Sequence, residues 1–170
     1  GKLEVTIVSA EGIKQTNYIG NPRYYVVVEL ASKESTYRYK TKGSSTSVKD
    51  CKVRWNERFE FVFSLTEWTQ ISDMKFKIMG TKFFRGSQFA GETKVVLDGI
   101  VQQGTRKGFL VLAPSPHNVV LEDDTYKGEI TIGFKFTIWN QQEHQNKHPL
   151  FHPLKMDSHG PPFFVSLYEL

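Results

Sequence analysis

Three groups of residues in this chain are of types that do chemistry. The first is histidine. Four of the five, His144, His148, His152 and His159, fall in one polar, proline-rich stretch, with His117 apart. His144, His148 and His152 recur every four residues, which on a helix would line up imidazoles as metal ligands. Pro149 breaks the helix that would align them, so no metal is expected there. The second group is the acidic run LEDDT (Leu121 to Thr125). Standing directly before Tyr126-Lys127-Gly128, it suits a solvated turn better than an acid–base pair. Cys51 is the single cysteine, which excludes a disulfide framework and a cysteine zinc site and favours a cytosolic setting. G-x-S-x-G, H-E-x-x-H, P-loop and CxxC motifs are all absent. Neither catalysis nor a cofactor is expected.

The third group mixes aromatic and cationic side chains. Phe83 and Phe84 lie between Lys82 and Arg85 in one loop, and Tyr18 and Ile19 lie at the tip of another. An apolar tip ringed by cations suits a lipid interface, with aromatics among the head groups and cations on the phosphates. The competing reading has Phe83 and Phe84 folding back to cap the end of the domain. In YRYKTK, a period of two puts Arg38, Lys40 and Lys42 on one face and Tyr37, Tyr39 and Thr41 on the other. Lys49, Lys52 and Arg54 lead into the next strand as candidates to extend the basic face. Such a face either attracts anionic lipid, at about 1 kcal/mol per cation, or keeps a sheet edge solvated and unaggregated. The net charge of +4 is compatible with anionic lipid or nucleic acid and selects neither.

The elements that must position these residues are strands almost throughout. LEVTIVSA alternates Leu3, Val5 and Ile7 with Glu4 and Thr6. RYYVVVEL (Arg23 to Leu30) is β-branched and aromatic, and MKFKIMG alternates again. ERFEFVFSL places Phe59, Phe61 and Phe63 on one face. GEITIGFKFTIW places Ile130, Ile132, Phe134, Phe136 and Ile138 together. Two short helices are expected, LTEWTQI (Leu65 to Ile71) and LDGIVQQG (Leu97 to Gly104), the latter closed by Gly104. Short strands separated by Gly, Pro, Asn and Ser turns predict an antiparallel sandwich or barrel. The texture changes near Trp139. Residues 140–170 read as a Pro/His-rich tail ending in the apolar, strand-like PFFVSLYEL, and no transmembrane run is present.

Several motifs together resemble the C2 domain family. LEVTIVSAEGI matches its first strand and turn, and GNPRYYVVVEL stands where the family has a Gly, an Asp-Pro-Tyr and a Val-rich strand. RWNERFEFVF matches its Trp-Asn-Glu signature, and FAGETKVVL its Gly-Glu step. PSPHNVVLEDDTYKGEITIGFKF is similar to small single-domain plant members of the elicitor-responsive and 16 kDa phloem type. The resemblance covers residues 1–139. It implies an all-β, eight-stranded antiparallel sandwich of type II topology, beginning at LEVTIV and ending at GEITIGF. Trp55 is expected to anchor the core, with Asn56 and Glu57 hydrogen-bonding the turn into its strand.

The resemblance also implies a calcium site, and this sequence departs from it. The family's ligand positions fall on Asn17 and Arg23 in the first loop and on Gly80, Lys82 and Gln88 in the third. None is a carboxylate, whereas calcium takes six to eight oxygens, several from carboxylates. At an effective dielectric of about 20, a unit charge at about 4 Å is worth about 4 kcal/mol, doubled for a divalent ion, so Arg23 and Lys82 would repel it. The expectation is a non-catalytic module binding anionic membranes without calcium, with Arg23, Lys82 and Arg85 supplying the charge an ion supplies in relatives. The family's lysine-rich strand implies phosphoinositide binding through Arg38, Lys40 and Lys42. A plant defence or trafficking role, at the cytoplasmic side of the plasma membrane, is implied by the resemblance alone. Two alternatives stand: a protein-interaction module using a sheet edge or the tail, and an RNA-binding phloem-type carrier.

Overall fold

The computed structural model describes residues 1–14, 22–32, 36–47, 52–81 and 86–138. The alternating segments form nine strands: β1 (Lys2–Glu11), β2 (Arg23–Ala31), β3 (Thr36–Lys40), the two-residue β4 (Ser44–Ser45), β5 (Lys52–Val62), β6 (Asp73–Thr81), β7 (Ser87–Val96), β8 (Phe109–Val120) and β9 (Tyr126–Thr137). All pair antiparallel, in the order β3-β2-β6-β7-β8-β9-β1-β5. Between β7 and β8 the ladder narrows to one residue pair, Glu92 opposite Val120. That seam divides the ribbon into two four-stranded sheets that face each other. On the other side β4 links them, pairing with β2 at Arg23 and Tyr24 while Thr46 bridges to Val53 of β5. The result is the eight-stranded antiparallel sandwich, plus the short β4, with the first and last strands as neighbours.

Period-two alternation drives one face of each strand inward. Leu3, Val5 and Ile7 of β1, Val26, Val28 and Leu30 of β2, Met74, Phe76 and Ile78 of β6, and Ile130, Ile132 and Phe136 of β9 are fully buried. Each such side chain contributes roughly 1.5–3 kcal/mol of transfer free energy. Aromatic edges tie the sheets together, Phe76 of β6 meeting Phe134 of β9 at 6.2 Å between ring centroids, while Trp68 packs on the end of the second sheet, 5.0 Å from Phe63 and 5.5 Å from Phe136. Trp68 is delivered there by a short helix, α1 (Leu65–Trp68). Its start is fixed by a capping box, in which the Glu67 N–H donates to Ser64 Oγ and the Ser64 N–H donates to Glu67 Oε2.

Two details correct the sequence reading and one, the strand β8, completes it. The second helix, α2 (Asp98–Lys107), runs past Gly104 and ends at Gly108, whose φ of 82° supplies the left-handed cap. Gly104 lies within α2 because a Cβ there would overlap the Phe136 ring; it is a packing glycine. The proline-bearing segment before Tyr126 is a strand, β8, with Pro114 and Pro116 tolerated on its open side. Finally, Asn56 contributes its backbone. It takes φ 51° where the β1–β5 register slips between Ile7 and Ser9, a conformation Asn tolerates better than most residues. Glu57 holds the neighbouring turn as expected, its Oε1 accepting from the Lys42 N–H at 2.7 Å. Trp55 is buried and donates its indole N–H to the Tyr24 carbonyl at 3.0 Å.

Candidate functional site

The strand β3 is at the edge of one sheet, and its two faces do different work. Tyr37 and Tyr39 turn inward onto Phe63, Phe59 and Phe61, at centroid distances of 4.9, 5.5 and 5.0 Å. Arg38 and Lys40 are therefore held outward on the solvent face. Register extends this face across three more strands. Glu29 stands opposite Arg38 and Lys75, Val27 opposite Lys40 and Lys77, Lys75 opposite Lys94, and Lys77 opposite Glu92. Along these rows, from Val27 to Asp73, the outer face of β3-β2-β6-β7 thus carries five cations (Arg38, Lys40, Lys75, Lys77, Lys94) and three carboxylates (Glu29, Asp73, Glu92), a net of +2.

Two of the three carboxylates are already engaged. Glu29 accepts from Arg38 at 2.8 Å and from Lys77 at 2.9 Å, and Asp73 holds Lys94 at 2.9 Å. Burial raises the Glu29 pKa, but the Lys77 hydrogen bond and the Arg38 charge outweigh it, and the carboxyl titrates below its ordinary range. It stays ionised at neutral pH. Lys40 lies over the Tyr25 ring, 3.8 Å from its centroid, and neither Lys40 nor Lys75 has an ion-pair partner among the described residues. An exposed cation backed by an aromatic ring, with further lysines beside it on the same sheet face, can meet a phosphate-bearing surface.

Lys75, Lys77 and Lys94 were not singled out in the sequence, because only sheet register brings MKFKIMG and GETKVV beside YRYKTK. The proposed extension through Lys49, Lys52 and Arg54 is not realised as a continuation of this face. Lys52 and Arg54 are on β5, in the other sheet, where Lys52 pairs with Glu11 at 2.8 Å; Lys49 lies outside the described residues. Lys42 is exposed just beyond β3.

The loop end of the sandwich is partly described. Arg23 starts β2, exposed, and donates to the Gly43 carbonyl at 2.9 Å. Its own carbonyl accepts from Thr81 Oγ1 at 3.2 Å. Gly80 is paired with Tyr24 on one side and Gln88 on the other. Arg23, Gly80 and Gln88 thus stand on adjacent strands at one end, where residues 15–21 and 82–85 depart. Asn17, Tyr18, Ile19, Lys82, Phe83, Phe84 and Arg85 lie outside the described residues, as do His144, His148, His152 and His159. None of the three described ligand positions offers a carboxylate. Gly80 has no side chain, Gln88 offers one amide oxygen, and Arg23 is a cation. Among the described residues no group of three or more His, Cys, Asp or Glu converges. Nearby, the LEDDT segment is an exposed turn, with Asp123 accepting from Thr125 N–H and Oγ1. Those hydrogen bonds hold its carboxyl below the usual range.

Known proteins share this architecture and sequence. "Elicitor-responsive protein 3" of Oryza sativa subsp. japonica is 33% identical over 137 residues, covering 81% of this chain and 83% of that protein. "16 kDa phloem protein 1" of Arabidopsis thaliana is 28% identical over 144 residues, covering 81% and 85%. Among solved structures, a C2 domain of plant Extended Synaptotagmin 1 superimposes with a TM-score of 0.56 at 18% identity, over 82% of this chain and 97% of that one. The C2 domain family model matches residues 1–112, and the chain belongs to the C2 domain family.

Proposed function

We propose that this protein is a non-catalytic C2 module that binds anionic membranes peripherally and without calcium. The observation that carries the reading is the outer face of β3-β2-β6-β7, where Lys40 and Lys75 stand without ion-pair partners among the described residues, beside Arg38, Lys77 and Lys94. The loop tips Tyr18/Ile19 and Phe83/Phe84, with Arg23, Lys82 and Arg85, would add apolar insertion at one end of that face. The missing carboxylates at Arg23, Gly80 and Gln88 support independence from the ion. The name of the elicitor-responsive relatives supports a role in plant defence signalling; trafficking and a place at the cytoplasmic face of the plasma membrane belong to the proposal alone. The RNA reading draws on the phloem-type relatives, but the tyrosines it would use for stacking are packed against Phe59, Phe61 and Phe63.

Co-sedimentation with vesicles tests the proposal. Binding to vesicles containing anionic lipid, weakening as salt rises, is expected, with none to neutral vesicles. Absence of binding to anionic vesicles at low salt would overturn it. RNA as a competitor separates the alternative, since displacement at stoichiometric RNA would place nucleic acid on the same face.

A further inference from the structure

The second sheet has an unfinished edge. Ile138 donates its N–H to the Gly108 carbonyl at 2.9 Å, and the register pairs Phe109 with Thr137 and Val111 with Lys135. Hydrogen-bonded and non-bonded pairs alternate along an antiparallel ladder, so Leu110 and Leu112 bond to β9 while Phe109 and Val111 point their N–H and C=O groups the other way. The β1 side gives the same phase. Phe63 N–H donates to the Gly1 carbonyl, which turns the backbone of Lys2 and Glu4 toward Thr137 and Lys135 and leaves Phe136 to face β8.

The outward groups of Phe109 and Val111 meet no strand among the described residues. The sheets diverge from the Glu92–Val120 pair, and α2 fills the interior of the gap with Leu97, Ile100 and Val101. The side chains at this edge are also bare: Phe109 is 62%, Val111 58% and Leu112 40% exposed. Natural edges of this kind are blunted or covered. Pro114 and Pro116 blunt the far half, while Phe109 to Leu112 is left both apolar and able to pair.

We propose that the apolar segment Phe163 to Leu170 of this same chain adds to β8 at Phe109–Leu112 as an extra strand. The chain passes Ile138 directly beside Gly108, so the tail starts next to the edge it would cover. Twenty-four residues, 139–162, separate the two, and at roughly 3.3–3.6 Å per residue their reach far exceeds what this return needs. Pro161 and Pro162 have no N–H to give a ladder, which sets the start of the pairing segment at Phe163. From there Phe163, Val165 and Leu167 alternate with Phe164, Ser166 and Tyr168, the pattern of a strand with one apolar face. Strand addition takes affinity from main-chain bonds and specificity from alternate side chains. Tethering raises the local concentration of this segment over that of any second copy.

Amide hydrogen exchange on the whole chain tests the assignment, read by NMR at Phe109 and Val111. The native chain is expected to protect the Val111 amide, and Val165→Pro, which removes a ladder donor from the tail and leaves the sandwich untouched, is expected to accelerate its exchange by about tenfold or more. Val26 and Val28 report global stability and are expected to be unchanged. Exchange of Val111 at the free-peptide rate in the native chain would overturn the proposal. So would protection that survives Val165→Pro, and if that protection grew with protein concentration, a second copy would be the occupant.

Discussion

Neutralising Lys40 and Lys75 together (Lys40→Gln/Lys75→Gln) isolates the basic face from the rest of the molecule. Three of the five cations there are held by carboxylates: Arg38 and Lys77 by Glu29, Lys94 by Asp73. Among the described residues Lys40 and Lys75 are the two outside these ion pairs, and at about 1 kcal/mol each near an anionic surface their loss is worth about 2 kcal/mol. That corresponds to roughly a 30-fold weaker partition onto anionic vesicles at low salt, shrinking toward no effect as salt rises. Folding is little touched, since Lys40 contributes only its contact with Tyr25, about 0.5–1 kcal/mol at an exposed site. The control is Arg106→Gln/Lys107→Gln, at the exposed last turn of α2, which removes the same net charge elsewhere. Vesicle titrations of the native chain and both variants give the answer. A loss under about threefold in the first variant, or an equal loss in the control, would refute the face-specific argument.

Further outcomes follow from the same geometry. Gly99→Ala, where a Cβ meets nothing within 4 Å, is expected to raise the melting temperature. Gly104→Ala in the same helix is expected to lower it, because overlap with Phe136, at about 1–3 kcal/mol, outweighs the gain of about 1 kcal/mol in helix propensity. The Glu29 carboxyl, and that of Glu4 beside Lys2, Arg58 and Lys135, titrate below the ordinary 4.5 because, although burial raises them, their ion pairs outweigh it. Their stabilisation is therefore present above the unfolded value and lost as pH falls through the lower folded values. Thermal stability is expected to decline gently below about pH 6.5, where His117, whose pKa burial lowers, must be protonated on unfolding, and more steeply below about pH 4.5, with a shallower acid fall in Glu29→Gln. Phe83→Ser/Phe84→Ser is expected to weaken vesicle binding by roughly tenfold with an unchanged melting temperature; a large fall in melting temperature instead would favour capping over insertion.

The fold was largely legible because alternation is a local signal. Leu3, Val5 and Ile7, or Ile130 through Phe136, announce an inward face without help from any partner strand. Edges and ends were harder. β8 hid behind Pro114 and Pro116, which argue against a central strand but not against an edge that needs no N–H on its open side. Gly104 and Gly108 both read as helix stops, and only the Phe136 ring, distant from Gly104 in sequence, decides between them. The basic face was half legible. Arg38 and Lys40 alternate with tyrosines within one strand, whereas Lys75, Lys77 and Lys94 join them through inter-strand register that no local pattern encodes. Conversely, Lys52 and Arg54 are close to YRYKTK in sequence but belong to the other sheet.

In the proposed function the cations of this domain supply the positive charge that a bound calcium ion would otherwise bring to an anionic membrane. The affinity of the native chain for anionic vesicles, measured from a chelator-treated sample up to millimolar calcium, tests it most directly. Binding is expected to be already complete in chelator, with an affinity constant unchanged across the titration. Binding that appears or strengthens only as calcium is added would contradict it.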